Sequence, residues 1–501
     1  MPSNQDRLPV IIGAGEVVDR NRNPAEGQEP LALMLAALRE AEQDAGAKLL
    51  SDIDSLDVVC EYSWPYIDAP GLIANALAIQ PRHSFYGEAG GESPVRFIHE
   101  AALRILRGEC EVAAVVGAES AYTTAAAWKA GINLTWANRD KHAKLLTGKE
   151  FSAPVAVDHG VAIPTNVYPF YENAAQAHWG QTQREALVES GEIWSRYSEI
   201  AADNPYAWLQ QRFTPEGVTT PSERNRLVAW PYTKHMVANP LVNQGAAILL
   251  TSVGKARAMG IADAHMIHIW GGAAANEPRD YLQRDQYVQS HAQNVVLETA
   301  TLIAGGDASR FEAMELYSCF PCVPKMARRT LGLPATARMT VTGGLSFFGA
   351  PLNNYMTHAA AALVRVLRAG SGAPGLLYGQ GEYVTKHHAL VLATRPREEA
   401  LAQDFSVQTQ ADARRGAVPS FVHDYTGTAT VETFTLIYGR DNQVEFGCVI
   451  ALTPAGERLM ARVPATDTRS IEWLTNLDAR PVGSQGVVDR LDAKRLRWSL
   501  A

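Results

Sequence analysis

The strongest constraint on the fold is the order in which buried strands and amphipathic helices follow one another. Residues 8–15 form a continuous apolar segment that enters a glycine turn, which is typical of a buried strand. Residues 30–44 carry apolar side chains at helical spacing, and Gly46 is placed to end that helix. The alternation continues through segments 56–59, 72–79, 94–106 and 112–116. Such alternation predicts a layered α/β architecture.

The same order of elements begins again in the second half of the chain. Segments 246–250 and 265–270 have the apolar pattern of strands, and residues 255–259 between them have that of a helix. A further helix is predicted at 357–368 and a closing strand at 389–393. Two halves with one order of elements predict a duplicated core, although no repeated sequence is visible by eye.

Residues 120–230 are more irregular and rich in aromatic side chains, including Trp179, Trp194, Trp208 and Trp230. We expect a loop or cap that shapes a pocket, with most of these aromatic residues packed in the core. The predicted N-terminal half therefore covers residues 1–252 with this insertion, and the second half covers 253–394.

The sequence changes character after residue 394. Residues 395–404 are charged and polar, as in a linker, and beyond them short alternating strands and polar turns follow one another. Residues 428–438, for example, alternate strictly between two faces. Successive hairpins in residues 405–501 predict a small all-β barrel of OB type, and a sandwich fragment remains the alternative.

Composition excludes several classes of protein. The 501 residues carry a net charge of -8, which argues against a nucleic-acid partner. No segment has the ~18–20 consecutive apolar residues that would span a bilayer. Five cysteines are too few for a disulfide framework, so we expect a cytoplasmic protein. We also expect no metal and no permanently bound cofactor.

Residues 91–120, GESPVRFIHEAALRILRGECEVAAVVGAES, resemble the nucleophile helix and following strand of the thiolase superfamily. That family begins this segment with Cys-x-Ser-Gly and closes it with Gly-x-Glu-Ser. The positions that match are Ser93, Ile105, Gly108, Gly117, Glu119 and Ser120. The spacing of these positions agrees with the family without insertions or deletions.

Three further segments resemble thiolase motifs in the expected order. Residues 237–252 resemble the family's Asn-x-x-x-Asn-Asp-Gly-Ala-Ala segment, and 342–354 resemble its Gly-Gly-x-x-x-x-Gly-His-Pro loop. Residues 378–388, YGQGEYVTKHH, are similar to the corresponding stretch of type 1 thiolase-like proteins. The resemblance implies two packed five-stranded, helix-covered units, an additional C-terminal domain for residues 405–501, and a homodimer.

Three positions depart from the family in the residues that carry its chemistry. The nucleophilic cysteine corresponds to Gly91, and the histidine of Gly-His-Pro corresponds to Ala350. The second cysteine corresponds to Tyr378, or to Leu377 if the alignment slips by one. Without a thiolate, an acyl group has no nucleophile at this place. The resemblance therefore implies an acyl-CoA protein that does not form a cysteine acyl-enzyme.

The resemblance indicates tyrosines as replacements for the missing catalytic cysteines and histidine. Tyr317, in YSCF, lies where thiolases have Asn-Glu-Ala-Phe. Steroid side-chain aldolases share the fold, lack the reactive cysteine and use tyrosines to cleave a β-hydroxyacyl-CoA. By this resemblance Tyr317 and Tyr378 are the predicted catalytic residues, one as base toward the β-hydroxyl and one as proton donor to the enolate.

The predicted partner is an acyl-CoA thioester, with coenzyme A as part of the substrate rather than a cofactor. Helix N–H groups beginning near Pro94 are placed to hold the thioester oxygen. The predicted substrate-binding residues are Gly91, Ser93, Asn239, Ser318, Gly349, Ala350 and Gly379.

Other interpretations of the same residues stay open. Ser93 fits helix capping better than nucleophilic attack, and Cys319 and Cys322 fit core packing better than a zinc site. A protein that binds acyl-CoA or lipid without catalysis is the main alternative function. Acyl transfer by an unrecognised nucleophile is a third.

Overall fold

The computed structural model describes residues 4–501. The strands are β1 (Pro9–Val18), β2 (Ser55–Val58), β3 (His83–Tyr86), β4 (Val112–Ser120), β5 (Leu227–Ala229), β6 (Tyr232–Thr233), β7 (Asn243–Ser252), β8 (Ile267–Asn276), β9 (Ala313–Leu316), β10 (Gly375–Gly381), β11 (Lys386–Ala393), β12 (Gly427–Tyr438), β13 (Val444–Leu452), β14 (Arg458–Pro464), β15 (Gln485–Arg490) and β16 (Leu496–Leu500).

The α-helices are α1 (Pro30–Ala45), α2 (Ala69–Leu77), α3 (Ser93–Arg107), α4 (Ala121–Ala130), α5 (Pro154–Asp158), α6 (Pro164–His178), α7 (Gln183–Asp203), α8 (Pro215–Thr219), α9 (Val253–Ala258), α10 (His291–Ile303), α11 (Cys322–Thr330), α12 (Gly344–Phe347), α13 (Tyr355–Arg368), α14 (Gln408–Arg414) and α15 (Thr468–Leu474). None of the helices within residues 4–501 is long and apolar enough to cross a membrane.

The order of strands in the main sheet shows the duplication that the sequence predicts. The first half contributes β3-β2-β4-β7-β1, and the second contributes β9-β10-β11-β8 in the corresponding order with one strand fewer. The halves join through β1 and β8, where Val10 lies opposite His268. The result is one nine-stranded sheet, so the predicted duplicated α/β core is confirmed and the second five-stranded unit has four strands.

Helix α3 lies at the centre of this core. Ten of its side chains are buried, and it contacts strands of both halves as well as α13. The helix ends at Gly108, whose φ of 74° lies in the left-handed region that glycine adopts without strain. Because both halves pack on α3, its first turn is fixed relative to loops from each half.

About half of the aromatic-rich segment, expected to be a loop or cap, lies in helices α4 to α8, so the segment is more regular than the sequence suggested. Helix α7 begins with a capping box of Thr182 and Glu185, a strong start signal. Helix α6 is buried on every side from Asn166 to Gln176, polar residues included. Because a helix that is buried all round has no polar face, its 3.6-residue periodicity is hidden in the sequence.

The C-terminal domain is a closed barrel. Strands β12, β13, β14, β16 and β15 follow one another around it, and β15 returns to pair with β12. The OB-type barrel is therefore confirmed and the sandwich fragment is wrong. The hairpin β5–β6, from the helical segment far upstream, extends this sheet where Ala229 pairs with Ile437.

A buried arginine joins the barrel to the core. The guanidinium of Arg458 is fully buried and forms an ion pair with Glu432 at 2.6 Å. It also donates to the carbonyl oxygens of Leu282 and Arg284, and it lies 5.0 Å from the centre of the Tyr287 ring. The same two parts of the chain meet at the surface through Lys494 and Asp158, which are 3.1 Å apart.

We predict that Arg458→Met lowers the free energy of unfolding by about 3 kcal/mol, because it leaves the Glu432 carboxylate and core carbonyls without their donor. Urea unfolding followed by tryptophan fluorescence measures this change. The matched control is Lys494→Ala, which breaks an exposed ion pair across the same contact and should cost less than about 1 kcal/mol. Equal effects of the two substitutions would contradict the assignment.

Candidate functional site

A cavity of about 450 Å³ lies at the first turn of α3. Its wall is mostly apolar, with side chains from α6, from the loop after β9 and from the loop after α12. Among the residues of this wall are Gly90, Gly91, Tyr168, Tyr317, Cys319, Ala350, Asn353, Gln380, Gly381 and Glu382. The cavity therefore brings together chain segments that lie far apart in the sequence.

The structure places some of the predicted residues in this wall and others behind it. Gly91, Tyr317 and Ala350 line the cavity. Asn239 and Gly349 lie next to lining residues, and the carbonyl of Asn239 accepts the Ala350 N–H at 2.9 Å. Ser93, Ser318, Tyr378 and Gly379, like Asn239 and Gly349, are not part of the cavity wall.

The Tyr317 hydroxyl lies in the space that a side chain at position 91 would need. A Cβ atom on Gly91 would come well inside 3.0 Å of this hydroxyl and of the Gln380 carbonyl oxygen. The hydroxyl forms no hydrogen bond with any residue of the described range 4–501. The phenol therefore fills the space beside Gly91 and has its donor free for a ligand.

Burial keeps the Tyr317 phenol neutral. The residue is 7% exposed. Burial raises its pKa well above the usual value of 10.0, and the neighbouring Cys319 and Glu92 raise it further. A neutral phenol donates a proton or a hydrogen bond, so Tyr317 fits the predicted role of proton donor and not that of base.

Tyr378 does not reach the cavity. Its hydroxyl is fully buried, lies 2.7 Å from Nδ1 of His387 and accepts a hydrogen bond from Gln293 at 2.9 Å. Nε2 of His387 lies 3.1 Å from the Val384 carbonyl, an acceptor, so Nε2 carries the proton. Nδ1 is then the acceptor and Tyr378 donates to it. The Tyr317 N–H donates to the Tyr378 carbonyl at 3.1 Å, so the two tyrosines are neighbours, but only Tyr317 lines the cavity.

The hydroxyls of the two predicted serines, Ser93 and Ser318, do not line the cavity. The Ser93 hydroxyl donates to the Glu88 carbonyl at 3.0 Å, and the residue before it, Glu92, occupies the N-cap position of α3. The expected capping by Ser93 was therefore wrong. The Ser318 hydroxyl is buried without a hydrogen-bond partner.

Cys319 is buried in the core, as the sequence predicted, and it also lines the cavity, which the sequence did not predict. Burial raises the pKa of its thiol to about 12, so the sulfur is not a thiolate at neutral pH. Its position two residues after Tyr317 in the same loop was a usable signal. Cys322, by contrast, is fully buried.

Asn353 and Tyr168 also line the cavity and were missed. The amide of Asn353 donates to the Cys60 carbonyl and accepts the Gly90 N–H, both at 2.9 Å. The Tyr168 hydroxyl donates to the Glu382 carbonyl at 2.5 Å, and its ring stacks on Phe320. Both side chains fix the backbone of the wall, and Asn353 belongs to a loop that the sequence did select.

Comparison with solved structures gives the fold a family context. An SCP2-thiolase-like protein type 1 from Mycobacterium smegmatis is 27% identical, with a TM-score of 0.82 over 99% of each chain. Residues 407–492 match the family model of the thiolase-like protein type 1 additional C-terminal domain. The chain has a thiolase fold with this additional domain. A search of curated proteins found no match by sequence.

Thiolase-fold proteins of lower similarity support the same fold. The Ltp2-ChsH2(DUF35) aldolase is 18% identical, with a TM-score of 0.59 over 78% of this chain and 98% of its own. Human mitochondrial 3-ketoacyl-CoA thiolase is 14% identical, with a TM-score of 0.55 over 78% of this chain and 100% of its own. The predicted thiolase resemblance is confirmed. The M. smegmatis protein is described as monomeric, which does not support the predicted homodimer.

We predict that Gly91→Ala destabilises the thiolase fold by about 1–3 kcal/mol, because the added carbon overlaps the phenol and a backbone carbonyl. In a Tyr317→Ala background the same change should cost at least about 1 kcal/mol less, since the phenol is gone. Urea unfolding of the four proteins measures this coupling.

Gly217→Ala is the matched control, because a Cβ there makes only an ordinary contact of 3.4 Å with Thr214. Additive effects of Gly91→Ala and Tyr317→Ala would show that the phenol does not fill the space at position 91.

Proposed function

We propose that this protein is an enzyme that breaks or makes a carbon–carbon bond beside a CoA thioester, by retro-aldol or related chemistry and without an acyl-enzyme. The observation that carries the proposal is the neutral, unpaired Tyr317 phenol at Gly91, in a largely apolar cavity. A positioned donor in a water-poor site stabilises the enolate that such chemistry forms.

The cavity is poorly suited to acyl transfer through a cysteine. Position 91 has no side chain, and position 350 is an alanine where a basic side chain is needed. Cys319 has its pKa raised to about 12, so its thiolate is scarce at neutral pH. These three features support bond cleavage in a non-covalent complex.

A neighbouring cleft supports coenzyme A as the carrier. This cleft has a volume of about 710 Å³ and shares Tyr62, Ala89 and Leu146 with the cavity, so the two adjoin. Its wall contains the basic side chains Lys144, Arg279 and Lys386, together with the acidic side chains Glu61, Glu88 and Asp140. Basic groups bind phosphates, and an extended thioester arm would pass from here to Tyr317. That a structural neighbour is an aldolase also supports the proposal.

The second candidate is a protein that binds an acyl-CoA or lipid without catalysis. It is favoured by the position of Tyr378, which leaves Tyr317 as the only one of the two predicted catalytic tyrosines in the wall. A cytoplasmic location stays a prediction for either function.

We predict that Tyr317→Phe lowers turnover of β-hydroxyacyl-CoA substrates by about 100-fold or more, because the donor to the enolate is lost. Binding of the CoA ester, measured by calorimetry, should change less than about threefold. Tyr378→Phe should keep most of the turnover, since its hydroxyl bonds only inside the core.

Tyr425→Phe on the barrel is the control, because its hydroxyl bonds to the nearby Thr428 carbonyl far from the cavity wall. No turnover by the unaltered protein, together with retained binding, would favour the second candidate. An acylated protein detected by intact mass would instead indicate acyl transfer. No affinity for any CoA ester would eliminate both candidates.

A further inference from the structure

We propose that the exposed side of residues 128–150, the strap, docks on the surface of an anionic lipid bilayer. The strap begins in the last turn of α4 and ends beside the cavity. It carries five basic and two acidic side chains in a chain whose net charge is -8. This docking goes beyond the proposed function and does not depend on its chemistry.

The basic side chains of the strap are Lys129, Arg139, Lys141, Lys144 and Lys149, and all five are exposed. None of them forms an ion pair with an acidic residue of the described range 4–501. Four of the five line neither the cavity nor the adjoining cleft, and the exception is Lys144. A ligand confined to the cleft therefore does not account for those four charges. Clustered, unpaired cations attract anionic lipid headgroups.

The inner side of the strap is held by the core. Trp136 packs on Trp64 with ring centres 5.1 Å apart, and the Ala137 N–H donates to the Glu29 carboxylate at 2.9 Å. Leu146 lines the cavity. Because these contacts fix the inner side, the exposed cations belong to the outer side of the same surface segment.

Exposed apolar side chains accompany the cations. Trp128 is 87% exposed and precedes Lys129 in the last turn of α4. Ile67 and Leu145, which are 72% and 37% exposed, line the cleft together with Lys144. Tryptophan favours the boundary between headgroups and acyl chains, and apolar side chains among cations are typical of segments that lie there. An acidic protein would match the cations alone, so the apolar side chains favour a bilayer.

The acidic side chains nearby do not cancel the charge of the strap. Asp140 and Glu150 accept hydrogen bonds from backbone N–H groups of the strap itself, each at 2.8 Å. In the cleft wall, Glu61 is 1% exposed, and burial raises its pKa to about 7, so it is partly protonated at neutral pH. Five basic against two acidic side chains leave the strap an excess of positive charge.

Docking by this side would bring the cavity to the bilayer. Leu146, Thr147 and Gly148 of the strap line the cavity, and Thr147 is exposed. The cavity wall is mostly apolar. An apolar acyl group would then pass between the bilayer and the cavity with little exposure to water, which is favourable for apolar surface.

We predict that the full chain binds vesicles made of equal parts of phosphatidylcholine and phosphatidylglycerol, and binds vesicles of phosphatidylcholine alone at least about tenfold more weakly. Co-sedimentation with the vesicles measures both affinities. At about 1 M salt, where charges are screened beyond about 3 Å, most of the binding to the mixed vesicles should be lost.

Substitutions locate the docking surface. Lys141→Gln and Lys149→Gln should each weaken binding to the mixed vesicles by about fivefold, and their combination should weaken it further, because each removes one cation near the lipid surface. Trp128→Ala should weaken the same binding by about threefold or more, since its apolar contact is lost.

Lys48→Gln is the matched control, because it removes an exposed lysine beyond the C-terminal end of α1. The strap is held at the opposite end of this 16-residue helix, by the N-cap residue Glu29, about 24 Å away along the helix axis. Binding of this variant should stay within about twofold of the unaltered protein.

No binding to the mixed vesicles would overturn the proposal and leave an acidic protein as the partner of the strap. Equal binding to both kinds of vesicle, or equal losses from Lys48→Gln and the strap variants, would also overturn it. Strap variants that keep vesicle binding but raise the KM for a CoA ester would assign the strap to CoA instead. Because vesicle binding needs no turnover, each result is independent of the proposed function.

Discussion

The packing of α3 between the two halves of the sheet is the contact on which the rest of the molecule depends. The helix is buried by strands from both halves and by α13. Its first turn therefore meets the loop after β9 and the end of β10, which belong to the other half. A site assembled from Gly91, Tyr317 and Gln380 exists because that one helix holds both halves in register.

Much of the fold follows from local signals in the sequence. The buried strand near Val112 and the helix stop at Gly46 are visible because apolar runs and glycines after a helical pattern have few other uses. The barrel follows from strict alternation. Helix α6 was missed because burial on all sides removes the contrast between polar and apolar faces.

The sequence predicted which loops meet at the site, but it predicted less well which side chains point into the cavity. Gly91, Tyr317 and Ala350 line the cavity because motif spacing fixes which loops converge. The burial of Tyr378 depends on which face of β10 its side chain takes, and a one-residue change reverses that face.

The pairing of the β5–β6 hairpin with β12 affects what happens when the C-terminal domain is removed. Ala229 pairs with Ile437, and the Trp230 N–H donates to the Leu436 carbonyl at 2.8 Å. Residues 227–233 thus add two strands to a sheet that is otherwise formed by residues 427–500. Truncation at residue 404 would leave the backbone of this hairpin without its neighbour. The barrel is therefore joined to the core by backbone hydrogen bonds as well as by side chains.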